Sequence, residues 1–460
     1  AYAYDVRCST EEITEDNWRA APELPRFQVI RPGRPGSKEE MWIDILEPGT
    51  KYYFAIRVLD EVGNASPPAV AAATTAAVEE LKLTDAGMSR VGRGSPAVGD
   101  GLTVWAFADT EKASPVTGGL LEDGTYARGN TDARCGNTVW DGARKAVRIA
   151  GCSNEFVAFQ VAVELDDPAA SREVPVSLAP FGPIREKDIR LYREWCVYTE
   201  EKETGKKTYW PDPLLPLEGK LVVPYEDNKI PGQKVGLVFV DIYVPHKTAP
   251  GAYTGKLSVG AITIPVELAV RDLDLPDTIE AIIFEMNNYY VWTHAYGKLD
   301  DDALAKLEHA YHRMAHEHRL SLNSVTHGHG GGIQGRSAPP LTGKGADTRV
   351  ADWTAWDRRY GPLLDGSAFA DLPRAGVPIT HIYTPFNENW PAKINEHFNY
   401  NVAEDMLGTF EREYIDAAKA VCADFARHFN EKRWYDTQFQ LFLNDKYLYR
   451  NPRKGRRGVS

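Results

Sequence analysis

Cysteine is scarce in this 460-residue chain, at five residues. Cys8, Cys135, Cys152, Cys196 and Cys422 are odd in number and widely scattered, which excludes a disulfide framework and a zinc-type ligand spacing. A single Cys135–Cys152 bridge stays open for an oxidising compartment. Long apolar runs are lacking too. None reaches the ~18 residues of a membrane-spanning helix, so no membrane span is expected. Positive charge is in short supply, with 53 Lys and Arg against 65 Asp and Glu and a formal net charge of -12. No broad basic face can be assembled, which argues against nucleic acid as a partner. The one basic cluster, Arg450, Arg453, Lys454, Arg456 and Arg457, reads as a solvated loop. Also missing are a Gly-x-Ser-x-Gly elbow, a phosphate-cradling Gly-Lys-Ser/Thr, and a serine or cysteine tied to a particular histidine. No cofactor and no metal are expected. The oligomeric state is left open.

Strand patterns dominate what is present. Residues 1–75 read as all-β. In the run Tyr52-Tyr-Phe-Ala-Ile-Arg-Val58, the alternation predicts one buried face formed by Tyr52, Phe54, Ile56 and Val58. Asp60-Glu-Val-Gly-Asn64 then supplies turn residues. Residues 76–95 read as a linker, entered through the small residues of Ala71-Ala-Ala-Thr-Thr-Ala-Ala77. Residues 96–273 carry runs rich in β-branched and aromatic residues at 156–163, 235–244 and 261–270, separated by turn signals, which predicts a β-sandwich. Asp272-Leu-Asp-Leu-Pro276 reads as a hinge into the last region.

Composition changes there. Ten of the eleven histidines lie between His294 and His428. Four apolar runs, 281–284, 322–326, 377–383 and 439–443, each break off into a polar cluster at the same end. Helical spacing separates them, through Leu304, Leu307, Tyr311 and Met314, and through Leu407, Phe410, Tyr414, Ala418, Val421 and Phe425. The stretch 330–374 shows no periodicity and reads as an extended loop. Strand–helix alternation with polar carboxyl ends predicts an incomplete (β/α)8 barrel over 274–460. The whole is then multidomain. A full barrel takes ~250 residues, so the C-terminus is expected to be cut.

The polar ends define candidate site residues. Asn387-Glu-Asn-Trp-Pro391 places a carboxylate between two amides beside an indole, groups suited to sugar hydroxyls and an apolar sugar face. The competing reading is a tight turn in which Asn387 and Asn389 cap backbone and Trp390 packs. Asn287, Asn288 and Tyr289 end the first run, His327 and His329 the second, Tyr383 the third, Asn444 and Asp445 the fourth. Glu388 and Asp445 are the catalytic candidates, each weighed against a structural role. His309, His312 and His316 share a helix face away from the Leu304–Met314 stripe, which predicts the solvent side of that helix.

Two resemblances rest on named residues. Tyr4-Asp-Val-Arg-Cys-Ser9, Leu46-Glu-Pro-Gly-Thr50, Tyr52, Asp60-Glu61 and Gly63-Asn64 resemble the middle and later strands of a fibronectin type III β-sandwich. Earlier strands would be absent, so this domain would be partial and the N-terminus cut. Residues from about 96 onward resemble glycoside hydrolase family 123, the β-N-acetylgalactosaminidases, and their uncharacterised relatives. That likeness is carried by Asn137-Thr-Val-Trp-Asp-Gly142, Asn154-Glu-Phe-Val-Ala-Phe-Gln160, Pro250-Gly-Ala-Tyr-Thr-Gly255, Asp272-Leu-Asp-Leu-Pro276, Ala315-His-Glu-His-Arg319, Pro385-Phe-Asn-Glu-Asn-Trp-Pro391 and Phe442-Leu-Asn-Asp-Lys446.

The family resemblance implies a secreted or surface enzyme, bacterial in type, acting on N-acetylhexosamine glycans with retention. The sugar's own acetamido oxygen would attack, assisted by an adjacent Asp-Glu pair, an exception to the two-carboxylate scheme. The chain's one Asp-Glu dipeptide is Asp60-Glu61, in a turn. The catalytic pair is therefore expected beyond residue 460, and the fragment itself is expected to be inactive. The alternative is a non-catalytic polysaccharide-binding or adhesion protein on the same scaffold.

Overall fold

The computed structural model describes residues 3–441, except 26–28, 31, 33–37, 40, 42, 44–45, 61, 78–91, 122–131, 168, 170, 279–282, 287–293, 325, 328–331, 335 and 401–407. The chain divides into two compact units, Ala1–Lys82 and Leu83–Ser460.

In the first unit β1 (Ala3–Ser9), β2 (Lys51–Leu59) and β3 (Ala69–Thr74) form one antiparallel sheet in that order. The buried cluster is Ile13, Trp18, Ala21 and Ala55, with Tyr53 against it. Arg57 lies 4.2 Å and Arg7 5.5 Å from the Trp18 ring, and the indole N–H donates to Asp5 at 3.2 Å. The covered side of β2 is therefore Tyr53–Ala55–Arg57, opposite to the expected one, and Val58 is 37% exposed. An arginine stem packed on an indole reads as polar in sequence but behaves as core. Tyr52 Oη accepts from the Glu47 N–H at 3.0 Å.

Two six-stranded sheets dominate the second unit. One runs β11 (Lys207–Pro216), β10 (Ile189–Glu200), β13 (Val235–Val244), β8 (Glu155–Leu165), β5 (Leu102–Ala108), β4 (Ala97–Gly99). The other runs β12 (Lys220–Val223), β9 (Arg172–Ala179), β14 (Gly251–Val259), β15 (Ile262–Asp274), β7 (Ala146–Ser153), β6 (Trp140–Asp141). All pairs are antiparallel except β7 with β15, and β15 ends at Asp274, within the stretch Asp272–Pro276 read as a hinge. Val174, Val176 and Leu178 of β9 are buried while Glu173, Pro175 and Ser177 face out, the period-two pattern of a half-covered sheet. Strands β5, β8 and β13 are buried almost throughout, as expected of strands covered on both faces. Together they supply Trp105, Phe107, Phe159, Leu237 and Ile242 to one continuous core. Gly255 is required by close approach, because a Cβ there would fall 2.5 Å from the Phe181 ring.

Beyond β15 the expected incomplete (β/α)8 barrel does not form. β16 (Ile283–Met286) pairs in parallel with β17 (Ser321–Ser324), and β20 (His381–Tyr383) with β23 (Gln438–Gln440), as two separate two-stranded ladders. Two further short pairs are antiparallel, β18 (Leu341–Thr342) with β19 (Arg349–Val350) and β21 (Phe398–Tyr400) with β22 (Gly408–Phe410). Among the described residues the α-helices are α1 (Asp301–Glu317), α2 (Thr354–Leu364), the single turn α3 (Ile394–His397) and α4 (Arg412–Lys432), and strand outweighs helix. Polar side chains occupy the seam where a continuous sheet would need backbone pairing. Asn323 Oδ1 accepts from the Tyr383 N–H at 2.8 Å, and its Nδ2 donates to Gln440 Oε1 at 2.5 Å. One amide thus does between β17 and β20 what a ladder does elsewhere.

The helices also depart from expectation. α1 is capped by Asp300, which accepts from the Ala303 N–H at 2.8 Å. Its buried face contains Leu304, Glu308, His312, Ala315 and His316, while Met314 is 57% exposed. The histidine face expected in solvent is the inner face. Stacking and pairing make this possible. His316 lies flat on Phe369 with centroids 4.0 Å apart, and its Nε2 is 3.0 Å from the Val377 carbonyl oxygen. Glu308 meets Arg359 of α2 through two hydrogen bonds. α2 itself lies within the stretch expected to be a loop. Its Trp356, Tyr360, Leu363 and Leu364 pack with Phe425 and Phe429 of α4 and with Phe386, Trp390 and Trp434. α4 begins at Arg412, so Phe410 lies outside the helix, in β22.

Candidate functional site

The candidate site is a buried polar layer at the carboxyl ends of β17 and β20. β17 ends toward Thr326 and His327, β20 toward Thr384 and the Asn387–Trp390 turn. Thr326 Oγ1 donates to the Thr384 carbonyl at 3.2 Å, which joins the two ends. Ser337 Oγ and the Gln334 N–H donate to the Thr326 carbonyl at 2.9 and 3.0 Å. Thr384 in turn donates to the Gln440 carbonyl of β23 through its N–H at 2.9 Å and its hydroxyl at 2.8 Å. Thr326, His327, Ser337, Thr384, Asn387 and Glu388 are all buried. The hydrogen bonds just described offset the burial of these polar groups.

The Asn387–Trp390 segment closes on itself. The two residues exchange backbone hydrogen bonds of 3.2 Å each, Asn387 Oδ1 accepts from the Asn389 N–H at 2.8 Å, and Asn387 Nδ2 donates to the Pro385 carbonyl at 3.0 Å. This is an Asx-stabilised turn. The carbonyl of Glu388 accepts from the Ile394 N–H at 2.9 Å and from Tyr414 Oη at 3.1 Å. Burial, then the nearby Glu388 charge, raises the Tyr414 hydroxyl above the usual tyrosine range. Glu388 is thus held from both sides at 6% exposure. Trp390 is 9% exposed and packs edge-on against Phe386 at 5.1 Å and Phe425 at 5.8 Å. It sits in the aromatic core, and the segment has the geometry of the packed turn weighed above.

Of the sequence-derived candidates, His327, Tyr383, Asn387, Glu388, Asn389 and Trp390 lie on this pair of strand ends. Asn287, Asn288, Tyr289, His329, Asn444 and Asp445 lie outside the described residues. Thr326 and Thr384 lie at the named strand ends but are not singled out as site residues in the sequence, and Ser337 and Tyr414 also belong to the layer. Tyr414 reads in the sequence as part of an apolar helix stripe, and nothing in its spacing marks the hydroxyl. No cluster of three or more metal-ligating side chains occurs among the described residues, and no described helix is long and apolar enough to cross a membrane. All five cysteines are free thiols.

A second unusual carboxylate lies in the sandwich. Glu194 on β10 is fully buried, and neither oxygen has a hydrogen-bond partner among the described residues. Burial pushes it up to about 7, against the pull of Lys112 and with the push of Asp212. It sits at a bulge between Glu194 and Cys196, where Asn228 clips the Cys196 backbone by accepting from its N–H at 2.6 Å and donating to its carbonyl at 2.9 Å. Nothing in the sequence sets this glutamate apart.

Comparisons with known proteins give little. No protein-family model and no curated protein matches the sequence. Among solved structures, a family 123 glycoside hydrolase from Clostridium perfringens, described for glycolipid glycan hydrolysis, aligns with a TM-score of 0.44 and 11% identity, over 74% of this chain and 58% of that one. This chain therefore spans little more than half of that enzyme. An α-L-rhamnosidase from Dictyoglumus thermophilum aligns at 0.13 with 12% identity, over 57% and 24%. Extracellular domains 3–5 of Drosophila OTK align at 0.10 with 9% identity, over 58% and 86%. Scores this low carry no argument about family or fold.

Proposed function

We propose that this chain supplies the substrate-gripping layer of a secreted or surface glycoside hydrolase acting on N-acetylhexosamine-containing glycans. The observation that carries the reading is the buried carboxylate of Glu388, its backbone pinned by Ile394 and Tyr414, in a layer with Asn387, His327 and the two strand-end threonines. Carboxylate, amide, imidazole and hydroxyl groups in a water-poor layer suit recognition of a sugar's hydroxyl and acetamido groups. The family 123 likeness of the sequence motifs supports the same substrate class. In this reading Glu388 accepts from a sugar hydroxyl and Asn387 keeps the turn in shape. Hydrolysis would need an Asp that orients the substrate's own acetamido oxygen for attack on the anomeric carbon and a neighbouring Glu that protonates the leaving oxygen.

The second reading, a glycan-binding protein without hydrolysis, is favoured by one observation. Asp60, in the chain's only Asp-Glu dipeptide, is spent on turn hydrogen bonds to Val62 and Asn64.

Calorimetric titration with N-acetylgalactosamine, N-acetylglucosamine and galactose tests the binding claim. Glu388→Gln is expected to weaken binding of an N-acetylhexosamine by about ten- to a hundredfold, the worth of a hydrogen bond to a charged group. Equal binding by wild type and variant would overturn it. Turnover of an aryl N-acetylhexosaminide by the whole protein separates enzyme from binder.

A further inference from the structure

Two histidines stand where the sandwich meets the residues that lead into β16 and β17, and each has only acceptors around its ring. His246, just after β13, has Nδ1 3.0 and 3.1 Å from the two oxygens of Asp274 and Nε2 2.7 Å from Asp277 Oδ1. His318, just after α1, has Nδ1 2.9 Å from the Met314 carbonyl oxygen and Nε2 2.8 Å from Asp241 Oδ2 on β13. A neutral imidazole donates from one nitrogen only, whereas the imidazolium donates from both. Satisfying both contacts at each ring therefore requires the cation.

We propose that His246 and His318 act as a pair of imidazolium clasps fastening the segments before β16 and β17 to the sandwich, so that the joint tightens in acid and loosens as the protons leave. Position gives this its consequence. Asp274 and Asp277 flank the exit from β15, and residues 318–320 are the whole connection from α1 to β17.

The carboxylates at the joint favour the cations. Beside His246, Asp274 accepts from Ser153 Oγ and from the Lys247 N–H at 3.1 Å, and Asp277 accepts from Asn154 Nδ2 at 3.1 Å. The Ser153 bond, foremost, holds Asp274 down at about 2 despite its partial desolvation. Asp277 is also lowered, burial being outweighed by His246, Asn154 and the Arg374 charge, so both carboxylates stay ionised acceptors. Beside His318, Glu317 is held by Arg190 of β10 through bonds of 2.6 and 2.7 Å, the Phe156 ring of β8 stacks on the imidazole at 4.6 Å, and Tyr192 lies near Asp241. Arg319 and Arg374 are permanent cations that oppose further positive charge; their N–H groups donate to backbone carbonyls, Arg319 to Asn154 at 3.0 Å and Pro276 at 2.6 Å, Arg374 to Asp277 at 2.7 Å and to His316. Burial opposes the charge on both histidines, yet their carboxylate bonds outweigh it and raise both above the ordinary histidine value. The sign follows: the fastening is complete below the unfolded value of about 6.5 and is lost as pH rises through the higher folded values.

The test is a histidine NMR titration of the whole chain from pH 5 to 9, with resonances assigned through His246→Gln and Asp241→Asn. Both midpoints are expected above the free-histidine value of about 6.5. Asp241→Asn keeps the size of the side chain and is expected to lower the His318 midpoint alone. Hydrogen exchange gives the structural readout. The Leu275 and Leu320 amides, bonded to Ser153 and Ala315, are expected to lose about tenfold in protection between pH 6 and 9 after correction for intrinsic rates. A midpoint at or below the free value for either histidine, or protection that does not change, overturns the proposal. Neither measurement involves a sugar, so its failure is distinct from failure of the glycan reading.

Discussion

Glu308 of α1 and Arg359 of α2 form a two-pronged ion pair inside the protein, with side-chain exposures of 0% and 8%. Burial alone would raise the Glu308 acid, but the Arg359 charge more than compensates and holds it below the usual glutamate range. Removing one partner strands the other charge away from water. Glu308→Gln or Arg359→Met is expected to destabilise the protein by about 3–5 kcal/mol, whereas replacing both by apolar residues costs much less. Denaturant unfolding of the two singles and the double checks this, and additive losses would show that the groups are not coupled.

Glu194 predicts the opposite behaviour for a lone buried acid. Its folded value near 7 lies above the unfolded value of 4.5, so the folded protein holds the extra proton between those pH values. Its contribution is complete below pH 4.5 and is lost as pH rises toward 7. Glu194→Gln, which keeps the shape without the charge, is expected to stabilise the protein at pH 8 by up to about 3 kcal/mol, with the gain vanishing in acid. Thermal unfolding at pH 5 and pH 8 reads the difference.

His312 and His316 govern the acid side. Burial pushes each down to about 4, with Arg374 adding to the effect at His316. Unfolded chains take up these protons near pH 6.5 while the folded protein refuses them, so stability falls as pH drops from 6.5 toward 4. His312→Phe is expected to flatten that fall, measured as the slope of unfolding free energy between pH 4 and 6.5. An unchanged slope would mean that His312 is not held neutral.

Trp390 separates a packed role from an exposed one. Truncation to alanine in the aromatic core is expected to cost about 3–5 kcal/mol, and Trp390→Phe considerably less. A loss below 1 kcal/mol for the alanine variant, read by urea unfolding, would place the indole outside the core.

How much of this was legible depends on what hides or reveals burial in a sequence. β13 is legible because Val235–Val244 is covered on both faces and so is apolar almost throughout. The inner face of α1 is not, because Glu308 and His316 become core residues only through Arg359, Phe369 and the Val377 carbonyl, far away in the chain. α2 hides behind Gly361 and Pro362, which punctuate its periodicity, although Trp356, Tyr360, Leu363 and Leu364 follow helical spacing. The barrel expectation failed on connectivity. Four short apolar runs and their polar ends are visible in the sequence, but local pattern does not reveal that Asn323 replaces a ladder at the seam. In the candidate layer, the residues after β17 and β20 were readable as polar strand ends. Ser337 and Tyr414 were not, since their roles arise from hydrogen bonds to residues distant in the chain.

The seam at Asn323 has a structural consequence. Where backbone ladders join strands, the gap between them is fixed for any sequence; here side chains set it, the Asn323 carboxamide together with the Thr380–Ser321 and Thr326–Thr384 hydroxyl bonds. Exchanging Asn323 would remove the central member of that set while leaving each two-stranded half whole. A change there would alter the spacing of the layer without touching either backbone ladder.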